Sequence, residues 1–509
     1  MTVLGLDLNA TRVRAVSGTA GDFAYLLPLQ PPHEDLPMMV NSEGKSPTIG
    51  HPVLRMCRER PHAVYKHFLP YLGEVPDDPN GSQVRHHQTD CEYALALVFD
   101  HLFNHSEQHQ GMYLSLPPYL GPHQVFLLRE ITQSAQVPIV CTITNPLAVS
   151  LSAFAENHWS KNALVVDVDD HALWLAWVRA DNENMNLIDV VCYPKLGLAV
   201  WKKKLLSILA DLCIKDCRRD PLHCPTLEQA LYLQLDSVME ECALHRTAQV
   251  PLQKGTWHHQ ASLDPELLKT LFASFTQPVL SELAGALQKH IPSDENRTIL
   301  ISAQASVLPG LMASLEEYQE YLLFRNKPRL KAAEVDEEDF GENLLEDSEF
   351  DDSPRLVVLP TDAAARGAHL LAEMWEKGRL EDEHLTTIVP LPAIQTAETG
   401  PSRLLFMGRS LFLDDRPFTI GRRHDCSLVL EKNRYPHISP WHCEIVYDPS
   451  SYVLRDYSRE GTWINDNLVT KMTALEPGDR IRLGPRGGPT LRFLGNPENR
   501  RYRKEAVSL

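Results

Sequence analysis

The chain has 509 residues, 43% hydrophobic and 23% charged, the balance of an ordinary globular protein rather than a fibrous or disordered one. That length exceeds what one hydrophobic core usually supports, so two or more domains are expected. The formal net charge of −18 lies in the first four hundred residues, because the last hundred or so carry about five more basic than acidic side chains.

An acidic body argues against nucleic acid as a general partner, while a basic end suits an acidic or phosphorylated ligand, unless the asymmetry only tunes solubility. No apolar run approaches the roughly 20 residues that span a bilayer. The opening MTVLGLDLNATRVRAV alternates and carries charge, unlike a secretory signal, so a cytoplasmic protein without a membrane partner is expected. Ten cysteines are too sparse for a disulfide framework. Cys213, Cys217 and Cys224, beside His223, form one dense group. No second CxxC or HxxxH pair accompanies it, so shielded thiols are expected rather than a zinc site.

In chain order, the first part mixes strands and helices. VLGLDL-NAT-RVRAV and ALVVDV-DDH-ALWLAWV share one plan: an apolar strand ending in Asp, a tight turn, then an outgoing strand. Amphipathic helices are expected at 128–137, 198–213 and 265–290, the last with Pro278 inside it. Residues 331–354 hold a dense acidic run with few large apolar residues, expected to be a disordered insertion containing Ser348 and Ser353. RLVVLP then reads as a buried strand, and the helix after it has Thr361 or Asp362 as its N-cap. Prolines and polar residues at 381–402 predict a linker. Beyond it, short alternating strands broken by Gly, Pro, Asp and Asn predict an all-β sandwich over 403–496, followed by a basic tail at 497–509.

The first 380 residues resemble the nucleotide-binding domain of the heat-shock 70-kDa chaperones, which has the two-lobed α/β actin-like fold. The likeness rests on the two Asp-bearing hairpins and on NSEGKSPTIG (41–50), MYLSLPPYLGPHQVFLLREITQSAQV (112–137), TITNPLAVSLSAFAE (142–156), ILISAQASVLPGL (299–311) and LPTDAAARGAHLLAEMW (359–375), in that order. In that family glycine-rich hairpins let backbone N–H groups wrap the phosphates. Here the first hairpin keeps Asp7 and Thr11 but has Asn9 and Ala10, and the second keeps Asp167 while Asp169, Asp170 and His171 fill glycine places. The resemblance puts the catalytic lysine at Leu69, a magnesium-holding carboxylate at Asn145, a further aspartate at Trp174 and the adenine-flanking glycines at Ser302 and Ala303. In the helix at 235–244 it leaves Asp236 an acidic contact and puts the family's lysine near Met239. Carboxylates facing a polyphosphate repel it, and phosphoryl transfer needs preorganised charge. A degenerate cleft without ATPase activity and without a tightly held cofactor is therefore expected. Weak ATP or magnesium binding is the alternative, with Asp7, Asp167, Asp169 and Asp170 around a hard cation instead of facing water. The chaperones' substrate domain and lid have no counterpart after residue 380.

Residues 417–484 resemble the forkhead-associated (FHA) domain through Gly421-Arg422, Ser439-x-x-His442 and Gly461-Thr462 with Asn465 three positions on. A guanidinium offers a planar fork for two phosphate oxygens, and a serine hydroxyl adds a third donor. The resemblance implies phosphate binding by Arg422 and Ser439, with His442 bracing the loop. The family's peptide-holding Asn is replaced by Glu460, with Arg459 before it as a second positive group. Trp463 and the apolar residues of WHCEIVY and YVLRDY are expected in the core. Together these features predict a non-catalytic adaptor for a phosphothreonine-containing protein, downstream of a serine/threonine kinase. The rivals are an ATP-binding chaperone-like ATPase with an FHA targeting module, and a phosphate-independent assembly protein.

Overall fold

The structure is a computed structural model. It describes residues 2–494 except 22–23, 44–45, 74–81, 105–108, 110, 134–137, 245, 291–296, 327–354, 381–384, 393–401, 407–408, 414–415, 431, 433–434, 449–450, 466, 477 and 486–487. The acidic stretch 331–354, with Ser348 and Ser353, and the tail 497–509 lie outside the described residues.

Among the described residues, two six-stranded sheets dominate the body, and they repeat one plan. In the first, Thr2–Leu8 pairs antiparallel with Arg12–Thr19 and parallel with Met112–Leu116, which runs parallel to Ile139–Thr144. In the second, Asn162–Val168 pairs antiparallel with Leu173–Ala180 and parallel with Arg297–Ile301, which runs parallel to Arg355–Val358. The central strands TVLGLDL and NALVVDV are almost continuously apolar because sheet neighbours and helices cover both of their faces. Asp7 and Asp167 hold the same place, one residue before the end of each first strand.

Helices Asn145–Ala155 and Ala363–Glu376 share a core with residues of both sheets. A Cβ at Gly367 would lie 1.8 Å from the Ala148 carbonyl oxygen, so only glycine lets these helices meet backbone to backbone. Asp362 is the N-cap of the second helix, as the sequence predicts, but its carboxylate binds Arg366 at 2.7 Å instead of capping an N–H. The other face of the second sheet is covered by Leu198–Cys217 and Pro265–His290, which contains Pro278. The helix expected at 128–137 runs instead over Pro122–Thr132, starting behind Gly121 with Pro at its first turn.

Within the stretch predicted to be a linker, Ile388–Pro390 is a strand on the edge of the second sheet, paired with Asn184–Asn186. Its proline sits where an edge tolerates a missing donor. The C-terminal part is a two-sheet β-sandwich. Among the described residues, one sheet has six strands, from Arg409–Phe412 through Arg403–Phe406 and Thr490–Leu494 to Asn467–Leu468, and the other has five, centred on Phe418–Gly421 and Cys443–Asp448. Leu404, Ile420, Cys443, Leu454, Ile481 and Phe493 fill its core. The Arg403 guanidinium reaches Glu156 of the body, and the Arg246 guanidinium lies 4.9 Å from the Tyr435 ring centroid.

Candidate functional site

The rim of the sandwich is built around one close approach. A Cβ at Gly421 would come within 2.3 Å of the Pro440 carbonyl oxygen, so glycine is required there. That approach lets the Pro440 carbonyl accept the N–H groups of Arg422 and Arg423, each at 3.0 Å, while Arg422 N–H also reaches the Ser439 carbonyl at 3.2 Å. The strand end and the 435–442 loop are thereby welded together.

Two neighbouring arginines diverge at this point. Arg423 turns outward, forms a fork with Asp425 and lies over Trp441. Arg422 turns toward the loop and donates Nε–H to the Ile438 carbonyl. Among the described residues its two terminal amino groups make no hydrogen bond, so the donor edge of the guanidinium remains for a ligand. Ser439, 9% exposed, accepts the Arg459 backbone N–H on Oγ at 3.1 Å and keeps its own hydroxyl proton to donate. The backbone of Arg422 and the side chain of Ser439 thus belong to one hydrogen-bonded unit, to which the loop bearing Arg459 is also tied. The Arg459 and Glu460 side chains are exposed.

The supporting residues act beneath the surface. His442 is fully buried, and its Nδ1 accepts the Ser439 N–H at 3.2 Å. Burial pulls its pKa down, against the Asp456 charge and the Gly461 backbone, so the ring is neutral and the proton is assigned to Nε2. Asp456 clamps the next loop by accepting from Ser458 N–H at 3.2 Å and from the Thr462 hydroxyl at 2.7 Å. Gly461 closes that loop at φ +82°, a conformation that suits glycine. Asn465, itself at φ 49°, accepts Arg480 N–H at 3.0 Å and donates to Asp479 at 2.7 Å, so it builds a turn. Sequence reasoning missed Asp456 and the Ile438 and Pro440 carbonyls; only the Asp-x-Ser pattern at 456–458 signals the clamp. Trp463 departs from its predicted core position. Thr462 and Ile464 are the buried residues, and Trp463 faces outward under the Arg482 guanidinium, 4.3 Å from its ring centroid.

In the body, the five cleft residues come together where the two hairpins meet; Thr11 and Asp170 are half-buried, and the other three, all carboxylates, do not face water as expected. Asp7, Asp167 and Asp169 are 5%, 7% and 1% exposed. Burial pushes Asp7 and Asp169 up to about 6 and Asp167 up to about 7. The Thr11 hydroxyl accepts the Asp170 N–H at 2.8 Å and donates to its Oδ1 at 3.3 Å. Asp169 accepts from Ala10 N–H at 2.9 Å and from the Tyr119 hydroxyl at 2.5 Å. Leu69, Asn145 and Trp174, at places where the chaperone resemblance puts charged groups, are 1%, 2% and 1% exposed. Asp236 is bound by Lys202 at 2.8 Å, whose charge holds its pKa down against burial.

Among the described residues, no group of three or more His, Cys, Asp or Glu side chains could hold a metal ion. Cys213 is buried, Cys217 Sγ donates to the Cys213 carbonyl, and Cys224 meets Lys254 Nζ at 2.9 Å. No helix among the described residues is long and apolar enough to cross a membrane.

No curated protein matches the chain. Residues 418–484 match the family model of the FHA domain, a span that holds Gly421, Arg422, Ser439, His442, Arg459, Gly461, Thr462 and Asn465. The sandwich at the C-terminal end of this chain therefore contains an FHA domain.

Proposed function

We propose that the protein is a non-catalytic adaptor whose FHA domain binds a phosphothreonine peptide in serine/threonine kinase signalling. FHA domains bind phosphothreonine-containing proteins. The observation that carries the proposal is the one hydrogen-bonded unit of Arg422, Ser439 and His442, drawn together at Gly421, which leaves the Arg422 amino groups and the Ser439 proton for a ligand. A phosphate dianion accepts a guanidinium fork and a hydroxyl at the same time. Arg459 adds charge from the facing loop, and Glu460 beside it disfavours an acidic residue next to the phosphothreonine. A phosphothreonine peptide library presented to the full chain tests this. Capture that depends on phosphate and is lost in Arg422→Ala supports the adaptor, whereas equal affinity for unphosphorylated peptides favours a phosphate-independent assembly role.

The body serves in this proposal as a pseudo-ATPase scaffold with the actin-like plan. The repeated strand order and the paired Asp-bearing hairpins support the plan. The buried, internally bonded Asp169 supports loss of phosphoryl transfer. One observation favours a second reading, in which the body still binds ATP as a chaperone-like relative. A cavity of about 380 Å³ opens beside the first hairpin, lined by Arg12, Arg14, Asp236, Lys269, Gln304 and Met312 among others. Calorimetry with ATP and magnesium separates the two: saturable heat that disappears in Asp7→Ala and Asp167→Ala supports the second reading, and the absence of heat removes it.

A further inference from the structure

Three segments converge on one carboxylate. The Ala10 N–H of the first hairpin donates to Asp169 Oδ2 at 2.9 Å, and the Tyr119 hydroxyl, from the segment after Met112–Leu116, donates to the same oxygen at 2.5 Å. The N–H groups of His171 and Ala172 donate to Oδ1, each at 2.9 Å. Ala10 and Tyr119 belong to the first sheet's half of the body, and Asp169, His171 and Ala172 to the second. Beside this contact, Thr11 and Asp170 exchange two further hydrogen bonds between the same halves. Backbone N–H groups that converge on one point form a nest for an anion. Here the anion is part of the chain, and it is 1% exposed.

We infer that Asp169 is an internal anion that latches the two halves of the body together and keeps an external phosphate or carboxylate out of its own N–H nest. The carboxylate takes the three N–H groups and the hydroxyl that a phosphate oxygen would otherwise use. Two hard anions cannot share that space without strong repulsion. These bonds join the hairpins through the chain's own groups, so the body presents one fixed surface. This role is independent of phosphopeptide binding by the FHA domain.

Amide hydrogen exchange on the full chain tests the latch, with pyrophosphate as the probe anion. In the wild type, peptides covering 8–13 and 167–173 are expected to exchange slowly and to ignore pyrophosphate. In Asp169→Gly the same peptides should exchange roughly ten-fold faster or more, since a charged buried hydrogen-bond set is lost, and pyrophosphate should slow them again. Should that variant fail to fold, Tyr119→Phe keeps the carboxylate, removes one donor, and should give a smaller acceleration in the same two peptides. The latch is overturned if pyrophosphate protects the wild-type hairpins as well as the variant's. Unchanged exchange in Asp169→Gly, or in Tyr119→Phe where that variant is the one measured, overturns it too.

Discussion

Arg422 and Arg423 are adjacent in sequence and share the Pro440 carbonyl through their backbones, but their side chains make different contacts. Arg423 spends its charge on Asp425, whereas Arg422 anchors only Nε–H and leaves two amino groups at the rim. Arg422→Ala is therefore expected to weaken a phosphothreonine peptide by about 10- to 100-fold, the loss of one or two charge-assisted hydrogen bonds, with little change in thermal stability. Arg422→Lys should recover only part of that affinity, because an ammonium lacks the planar fork. Ser439→Ala should cost affinity and also free the Arg459 N–H that Oγ now holds, which exchange at residues 457–461 would report. In the body, the Asp167 carboxyl is pushed up to about 7 by burial and by Asp7 and Asp169. Its folded pKa lies above the unfolded value, so its contribution to stability is present below pH 4 and is lost as pH rises toward 7. Asp167→Asn should accordingly stabilise the chain at pH 8, by on the order of 2 kcal/mol, and the gain should fade by pH 4 in urea titrations. The sequence marks Arg422, Ser439 and His442 by motif, but it hides Asp456 and the Pro440 carbonyl. Their roles depend on hydrogen bonds between segments that only the fold brings together.

Among the elements, the loop at 435–442 depends on what Gly421 lacks. Gly421→Ala places a Cβ 2.3 Å from the Pro440 oxygen, a backbone atom that cannot swing aside. The substitution is expected to destabilise the sandwich by roughly 2 kcal/mol and to disorder the 435–442 loop, visible as a lower melting temperature together with lost peptide binding. The alternation of short strands is legible because side chains on a two-sided sheet reverse direction at each residue. The same alternation accounts for Trp463: between buried Thr462 and Ile464 it must point outward, and its hydrophobic character misleads. The strand Ile388–Pro390 escapes notice because its proline reads as linker, yet an edge position tolerates it. The paired hairpins are visible as a repeated pattern ending in Asp7 and Asp167. That Asp169 turns inward to bind the opposite hairpin depends on both halves being folded, which no local pattern records.

At the scale of the molecule, the FHA-containing sandwich is tied to the body through a largely buried ion pair. Against the burial that would raise it, the Arg403 charge and the His158 bond hold the Glu156 carboxyl down to about 2. Glu156→Gln would remove this counter-charge from the buried Arg403 guanidinium, at a cost on the order of 3 kcal/mol. Calorimetric melting of the full chain should then show the sandwich and the body unfolding further apart in temperature than in the wild type. A latched body and an attached reader domain together describe a protein that presents a phosphate site from a fixed platform. The central claim is that Arg422 and Ser439 grip a phosphothreonine at the sandwich rim. Titration of the full chain with a phosphothreonine peptide selected from a library, followed by anisotropy for wild type and Arg422→Ala, tests it most directly. Saturable binding that needs the phosphate and falls at least ten-fold in the variant is the expected result; equal binding of both proteins, or of the unphosphorylated peptide, would contradict it.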